Sequence, residues 1–144
     1  MFNTLFLTKN QKLVKRWERE HEQIVELAHK VIAAYVKNNH TAAKAYLRSL
    51  GGIAADHLTS EDIEFYKLLK DPERNDEVTR KQIEVFQSSF KDVKQTLMKF
   101  LAKYGKEETE LDDTFFDTFN TIVDILSERI AFEENELYFR MSLG

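Results

Sequence analysis

Five ionisable residues occupy positions that the spacing of their apolar neighbours assigns to the interior of the protein. They are His21, His57, Glu61, Arg129 and Glu133. His57 and Glu61 are four residues apart, as are Arg129 and Glu133, and residues four apart share one face of a helix. A buried ion costs several kcal/mol unless it is paired or bound to a metal. These five positions are therefore the first candidates for a functional site.

Two kinds of chemistry fit this set of side chains. Imidazole nitrogens and carboxylate oxygens from facing helices are suitable ligands for iron, zinc or manganese. Alternatively, the set forms a buried polar network in which Arg129 binds the carboxylates of Glu61 and Glu133, and the two histidines hydrogen-bond to them. The spacing of Arg129 and Glu133 on one helix slightly favours the metal-free network in the isolated protein. Both alternatives stand at this point.

Four amphipathic segments must position these residues. Apolar residues at alternating spacings of three and four predict helices over about residues 10–38, 41–69 and 76–104, and from Asp112 or Asp113 to the C-terminus. A single Pro and four Gly among 144 residues also favour long helices. The polar segments that connect the predicted helices are short, so successive helices are expected to pack as antiparallel neighbours. We expect an all-α, up-down-up-down four-helix bundle that forms one domain over residues 1–144.

The second and fourth predicted helices contain a related stretch of sequence. Residues 57–66 and 129–138 share one pattern, which starts with an ionisable residue and an aliphatic residue, has Glu at the fifth position and ends in Tyr. The first and third helices correspond more loosely. This repeat predicts two similar helical hairpins related by a pseudo-two-fold axis.

Composition excludes several classes of function. The net charge is -4 without a basic block, so nucleic acid is not an expected partner. The absence of cysteine excludes disulfides, thiolate zinc sites and cysteine nucleophiles. The apolar run within residues 1–9 is too short for a signal peptide or a membrane span. We expect a cytoplasmic protein that does not bind membranes.

The remaining histidines and motifs are weaker candidates for a functional site. His29 lies beside the apolar stripe and His40 lies in a predicted turn, where we expect it to be exposed. Glu18-x-x-His21 and Glu26-x-x-His29 have the spacing of ferritin-type ligands, but both lie on one helix, and the ferritin-like site requires two. The sequence has no Gly-rich phosphate loop and no Ser-His-Asp set, so we assign no catalytic residue.

The segments that carry the candidate residues resemble the hemerythrin-like, or HHE, cation-binding domains. The resemblance extends from about residue 17 to residue 138 and is strongest in residues 20–27, 55–62 and 129–138. It implies a four-helix bundle with a non-haem di-iron centre, His ligands from all four helices and two bridging carboxylates. Dioxygen binding, sensing of iron or oxygen, and handling of nitric oxide or peroxide are among the roles of that family.

Only half of the family's ligand set is matched. The resemblance implies that His21 and His57 bind one metal and that Glu61 and Glu133 are the bridging carboxylates. At the second position, Phe90 and Arg129 stand where the family has His. These replacements argue against a di-iron centre and predict at most one ion, iron or another divalent metal. Arg129 is inferred to stand in for the second metal, because a guanidinium supplies positive charge to both carboxylates.

A second, local resemblance supplies an alternative function. Residues 12–17 and 128–134 are similar to the regulator-of-sigma-D anti-sigma proteins, helical bundles that act by binding the primary sigma factor. This resemblance implies a metal-free interaction protein. With either resemblance we expect a sensing or binding module and not an enzyme. Its partner would be a metal ion with or without a small diatomic ligand, or another protein, and the sequence does not indicate an oligomeric state.

Overall fold

The structure, a computed structural model, describes residues 7–71, 73 and 76–142, and all its regular elements are helical. The elements are α1 (Lys9–Val36), α2 (His40–Lys70), α3 (Glu77–Phe90), α4 (Val93–Tyr104), α5 (Asp113–Phe132), a π-helical turn (Glu133–Leu137) and α6 (Tyr138–Ser142). No β-strand occurs among these described residues, which confirms the predicted all-α class. Within the same ranges, no helix combines the length and hydrophobicity needed to cross a membrane.

The helices form four antiparallel rods. The pair α3 and α4 makes up the third rod, and α5, the π-helical turn and α6 make up the fourth. The first rod packs against the second and the fourth, and the third packs against the same two neighbours. This arrangement is the predicted four-helix bundle.

Local sequence signals set most helix ends. Thr8 and Gln11 form a reciprocal capping box at the start of α1. Asn38 ends that helix in the left-handed conformation (φ 61°), as its position in the Asn-rich break predicted. Asp112 accepts a hydrogen bond from the N–H of Phe115 at the start of α5. Pro72, which follows the predicted second helix, and residues 1–6 of the N-terminal apolar run lie outside the described residues.

The third helix differs from its prediction as a continuous element. The hydrogen-bonded helix is interrupted at Lys91 and Asp92. Both residues keep right-handed helical backbone angles, with φ and ψ of -58° and -29° for Lys91 and -96° and -4° for Asp92. The apolar stripe therefore continues through the interruption, which is why its periodicity did not reveal a break.

The buried apolar residues form two clusters, and most of the predicted polar residues lie in the sequence between a residue of one cluster and a residue of the other. The larger cluster contains Ile24 to Ala34 of α1, Ala43 to Leu58 of α2, and the inward faces of α4 and α5. The smaller cluster consists of Val14, Trp17, Phe65, Leu68, Ile83, Phe86, Leu137, Tyr138 and Met141. On α1, for example, His21 separates Trp17 of the smaller cluster from Ile24 of the larger one. The two clusters thus enclose a polar layer.

Candidate metal centre

The structure brings the five predicted residues together in this polar layer. His21 comes from α1, His57 and Glu61 from α2, Arg129 from α5 and Glu133 from the π-helical turn. None of the five is more than 4% exposed. The prediction of an inward, shielded cluster is confirmed, and the burial makes the interactions among these groups strong.

Four ligand atoms of the cluster converge on one point. The Nε2 atoms of His21 and His57 are 3.0 Å apart. Nε2 of His21 is 3.0 Å from Oε1 of Glu133, and Nε2 of His57 is 3.0 Å from Oε1 of Glu61. One ligand atom from each of the four residues lies within 4.8 Å of all the others. Such a group has the size and the donor types of a site for a single transition-metal ion.

Two carboxylates at the edge of the bundle orient the imidazole rings. Nδ1 of His57 is 2.8 Å from Oε1 of the half-buried Glu20, and Nδ1 of His21 is 2.8 Å from Oε2 of the exposed Glu134. A carboxylate accepts hydrogen bonds, so Nδ1–H of each ring donates outward. Nε2 of each ring then faces the centre of the cluster, as in the carboxylate–histidine pairs that support metal ligands.

The two buried carboxyl groups have opposite pKa shifts. Burial and the negative charge of Glu61 raise the pKa of Glu133 well above its ordinary value. Burial alone would also raise the pKa of Glu61, but hydrogen bonds from Glu133 and His57, with the charges of His57 and Arg129, lower that pKa to about 2. Of the two carboxyl groups, Glu61 therefore ionises more readily and Glu133 holds a proton more readily.

The two histidines also differ in their pKa values. Burial lowers the pKa of His21, against an opposing hydrogen bond to Glu134. Burial acts in the same direction on His57, but hydrogen bonds and charges of Glu61 and Glu20 outweigh it and raise the pKa of His57. His21 is thus the histidine more readily present as the neutral imidazole that metal binding requires.

Arg129 lies on the other side of the carboxylates. Its Nε is 3.3 Å from Oε2 of Glu133, and its Nη2 is 3.4 Å from Oε1 of Glu61. The guanidinium carbon lies 4.7 Å from the centre of the Phe86 ring, within the range of a cation–π interaction. Arg129 therefore contacts both carboxylates, as the polar-network interpretation predicted.

The aromatic residue that contacts the guanidinium is Phe86, whereas Phe90 is the residue that the resemblance aligns with a His ligand of the family. Phe90 packs against Phe86 and Phe132, with ring centres 5.4 and 6.0 Å apart. Phe86 and Phe90 are four residues apart and share a face of α3. Because aromatic carbons do not bind metal ions and the guanidinium is a cation, the residues around Arg129 do not fit a second metal ion.

The cluster has three further members that the sequence did not predict, namely Glu20, Glu134 and Tyr138. The hydroxyl of Tyr138 donates a hydrogen bond of 2.6 Å to Oε2 of Glu61 and lies 3.1 Å from Nε2 of His21. The positions of the two acids could have indicated their role, because Glu20 directly precedes His21 and Glu134 directly follows Glu133 in the sequence. Tyr138 was visible only as the last residue of the repeat.

The two remaining histidines lie away from this cluster in the sequence and the structure. His29 is exposed on the outer face of α1. His40 was expected in an exposed turn, but it is the first residue of α2 and is half-buried, since its ring stacks on Tyr35 with ring centres 5.4 Å apart. His29 is therefore a suitable control for substitutions at His21 and His57.

Comparison with known protein families gives a match over most of the chain. The model of a family described as Hemerythrin HHE cation binding domain matches residues 12–140. The matched range contains all members of the buried cluster, including Glu20, Glu134 and Tyr138. No curated protein and no solved structure matches the chain significantly.

Proposed function

The chain belongs to the family of hemerythrin HHE cation-binding domains, and from this premise we propose that it is a binding module for one divalent metal ion. The proposed ligands are His21, His57, Glu61 and Glu133. Iron is the metal that the family resemblance implies. We assign the module a binding or sensing role and no catalytic residue.

The observation that carries this proposal is the approach of the two imidazole nitrogens. With both Nδ1 atoms turned toward outer carboxylates, two Nε2 atoms face each other at 3.0 Å. Two lone pairs do not face each other at this distance unless a proton or a metal ion lies between them. A proton can bridge only two of the four converging atoms at a time, whereas one divalent ion can be bound by all four. The donor set therefore favours a metal over a proton.

The type of ligand narrows the choice of metal. Two imidazoles with one or two carboxylates suit iron(II), zinc or manganese, and they do not suit ions that require an all-oxygen environment. Outer carboxylates such as Glu20 and Glu134 make the imidazoles better ligands and fix their orientation. Binding of the metal would displace protons held within the cluster, which is the usual competition at such sites.

Arg129 limits the proposed site to one ion. In a two-metal site the carboxylates of Glu61 and Glu133 would each face a second cation. Here the guanidinium of Arg129 lies 3.3–3.4 Å from those carboxylates, with Phe86 behind it. The protein thus supplies a fixed positive charge of its own where a second ion would otherwise be needed.

One observation favours the alternative, a metal-free helical module. Among the described residues, every buried side-chain nitrogen and oxygen atom has a hydrogen-bond partner. Arg129 contacts the carboxylates of both Glu61 and Glu133 and supplies positive charge to them. In this alternative the cluster only specifies the packing of the helices, and the function is to bind a protein partner, as the resemblance to regulator-of-sigma-D proteins suggests.

Competition with a chromophoric chelator for cobalt(II) distinguishes these functions. We expect the wild-type protein to take up the ion and His57→Ala to bind it more than about 100-fold more weakly, because a direct ligand contributes more than the 10–100-fold typical of an outer partner. His29→Ala, on the exposed face of α1, is the matched control and should bind like wild type. Equal affinities for all three proteins would favour the metal-free module.

A further inference from the structure

Tyr138 lies in the buried layer, although its counterpart in the sequence repeat does not. Tyr138 follows Arg129 by nine residues, as Tyr66 follows His57. Nine residues of α-helix rotate the chain by about 900°, which places the ninth residue on the opposite face. Tyr66 is accordingly 58% exposed, but Tyr138 is only 3% exposed. The fourth rod must therefore depart from regular α-helical geometry between Arg129 and Tyr138.

The π-helical turn accounts for this difference. The N–H of Tyr138 donates to the carbonyl oxygen of Glu133, five residues earlier, so these two residues lie on one face of the turn. In an α-helix, residues five apart point about 140° away from each other. The extra residue in the turn therefore places Tyr138 beneath Glu133. Single π-helical turns of this kind are frequent at functional sites.

Packing on two sides fixes the Tyr138 ring against the histidines. The ring stacks on His21 with centres 5.5 Å apart and planes inclined by 16°. Its other neighbour is Trp17, whose centre is 5.5 Å away and whose indole N–H donates to Oγ of Ser60. With the ring held in this way, the hydroxyl stays 2.6 Å from Oε2 of Glu61 and 3.1 Å from Nε2 of His21. The phenol oxygen is thus a fixed fifth polar atom beside the four converging ones.

We propose that Tyr138 closes the metal site against small exogenous ligands such as azide, nitric oxide and dioxygen. This inference rests on the proposed metal-binding function. A small ligand that joined the site next to His21 and Glu61 would need the space of the Tyr138 hydroxyl, which stacked rings and a short hydrogen bond keep in place. Metal sites that exchange ligands keep an open position, whereas structural sites are closed. The module therefore responds to the metal ion itself and not to a diatomic gas.

Azide binding to the cobalt(II)-loaded protein tests this proposal, because the visible bands of cobalt(II) report changes in its ligands. Equilibrium dialysis first establishes that each protein binds one cobalt(II). We expect azide to leave the wild-type spectrum unchanged and to shift the spectrum of Tyr138→Phe in a saturable way. Tyr138→Phe removes one oxygen and keeps the ring that packs on His21. Tyr104→Phe, which removes a buried hydroxyl 3.5 Å from Asp112, is the matched control and should behave like wild type.

Each other outcome overturns a defined part of the proposal. A wild-type spectrum that shifts with azide shows an open site and overturns the proposal without use of any variant. If azide changes the cobalt(II) spectrum of neither wild type nor Tyr138→Phe, the Tyr138 hydroxyl is not what closes the site. If the wild-type protein binds no cobalt(II) in dialysis, the proposed metal-binding function fails, and the role of Tyr138 fails with it.

Discussion

The two helical hairpins contribute unequal parts to one buried layer. The first hairpin, α1 and α2, supplies both imidazoles, the carboxylate of Glu61 and the outer carboxylate of Glu20. The second hairpin, α3 to α6, supplies Glu133 but also Arg129, with the ring of Phe86 behind the guanidinium. The helices of the first hairpin are unbroken, whereas the second contains both the interruption at residues 91–92 and the π-helical turn. The repeat in sequence has thus become two different local structures.

As a result of this difference, two kinds of positive charge stabilise the buried pair of carboxylates. Glu61 and Glu133 come from different hairpins and lie between the two imidazoles on one side and Arg129 on the other. On the imidazole side the positive charge must come from a proton or a metal ion. On the arginine side the positive charge is the guanidinium of Arg129, which is part of the protein itself. We therefore expect substitutions on the arginine side to change the stability of the protein, and substitutions on the imidazole side to change metal affinity.

The largest effect is expected for Arg129→Ala in protein treated with chelator. The change leaves buried carboxylates without their permanent cation, which costs roughly 3–5 kcal/mol in the free energy of unfolding. Urea denaturation followed by circular dichroism measures this loss. Arg80→Ala, on the exposed face of α3, is the matched control and should change the free energy of unfolding by less than about 0.5 kcal/mol. A loss for Arg129→Ala no larger than that of the control would contradict the account.

The same variant should also change the dependence of stability on pH. Burial is the largest influence on Glu61 and raises its pKa, whereas the charge of Arg129 lowers it, so we expect removal of Arg129 to bring that pKa in the folded protein above its value in the unfolded protein. A carboxyl whose pKa is higher in the folded than in the unfolded protein binds protons on folding, and stability then increases as the pH falls. The deficit of Arg129→Ala relative to wild type should therefore be smaller at pH 5 than at pH 7. An equal deficit at both pH values would show that lost packing and not charge causes the destabilisation.

An intermediate effect is expected for the outer carboxylates. Glu20→Gln and Glu134→Gln each weaken the hydrogen bond that orients one imidazole, and we expect metal affinity to fall by about 10–100-fold. The stability of the metal-free protein should change little, because Glu20 is only half-buried and Glu134 is exposed. Chelator competition measures the affinity, with Glu22→Gln on the exposed face of α1 as control. Affinities equal to that of Glu22→Gln would show that these carboxylates do not support ligands.

Most of the fold was predictable because long helices leave strong periodic signals. The helix ends at Asn38 and Asp112 followed from side chains that cap a helix in a known way. The interruption at Lys91 and Asp92 could not be predicted, since the backbone angles stay helical and the apolar stripe continues. The π-helical turn was equally hidden, because one extra residue in a turn leaves no signature in the types of the surrounding residues.

The candidate site was predictable for the residues whose polarity conflicts with their position. His21, His57 and Glu61 interrupt apolar stripes, and such a conflict is visible in a single sequence. Tyr138 and Phe86 have no such conflict, since aromatic residues are ordinary at core positions, and their roles depend on the three-dimensional contacts. The repeat gives no guide to the environment of Tyr138, because its counterpart Tyr66 is exposed whereas Tyr138 is buried.

The metal content of the loaded protein decides whether the buried cluster holds a single metal ion. Wild-type protein is incubated with ferrous iron without oxygen, excess metal is removed by gel filtration, and iron per chain is measured by elemental analysis. We expect one iron per chain for wild type and for His29→Ala, and none for His21→Ala. Two irons per wild-type chain would contradict the assignment of Arg129 as a replacement for the second ion. No iron in wild type, or one iron in His21→Ala, would contradict the proposed ligands.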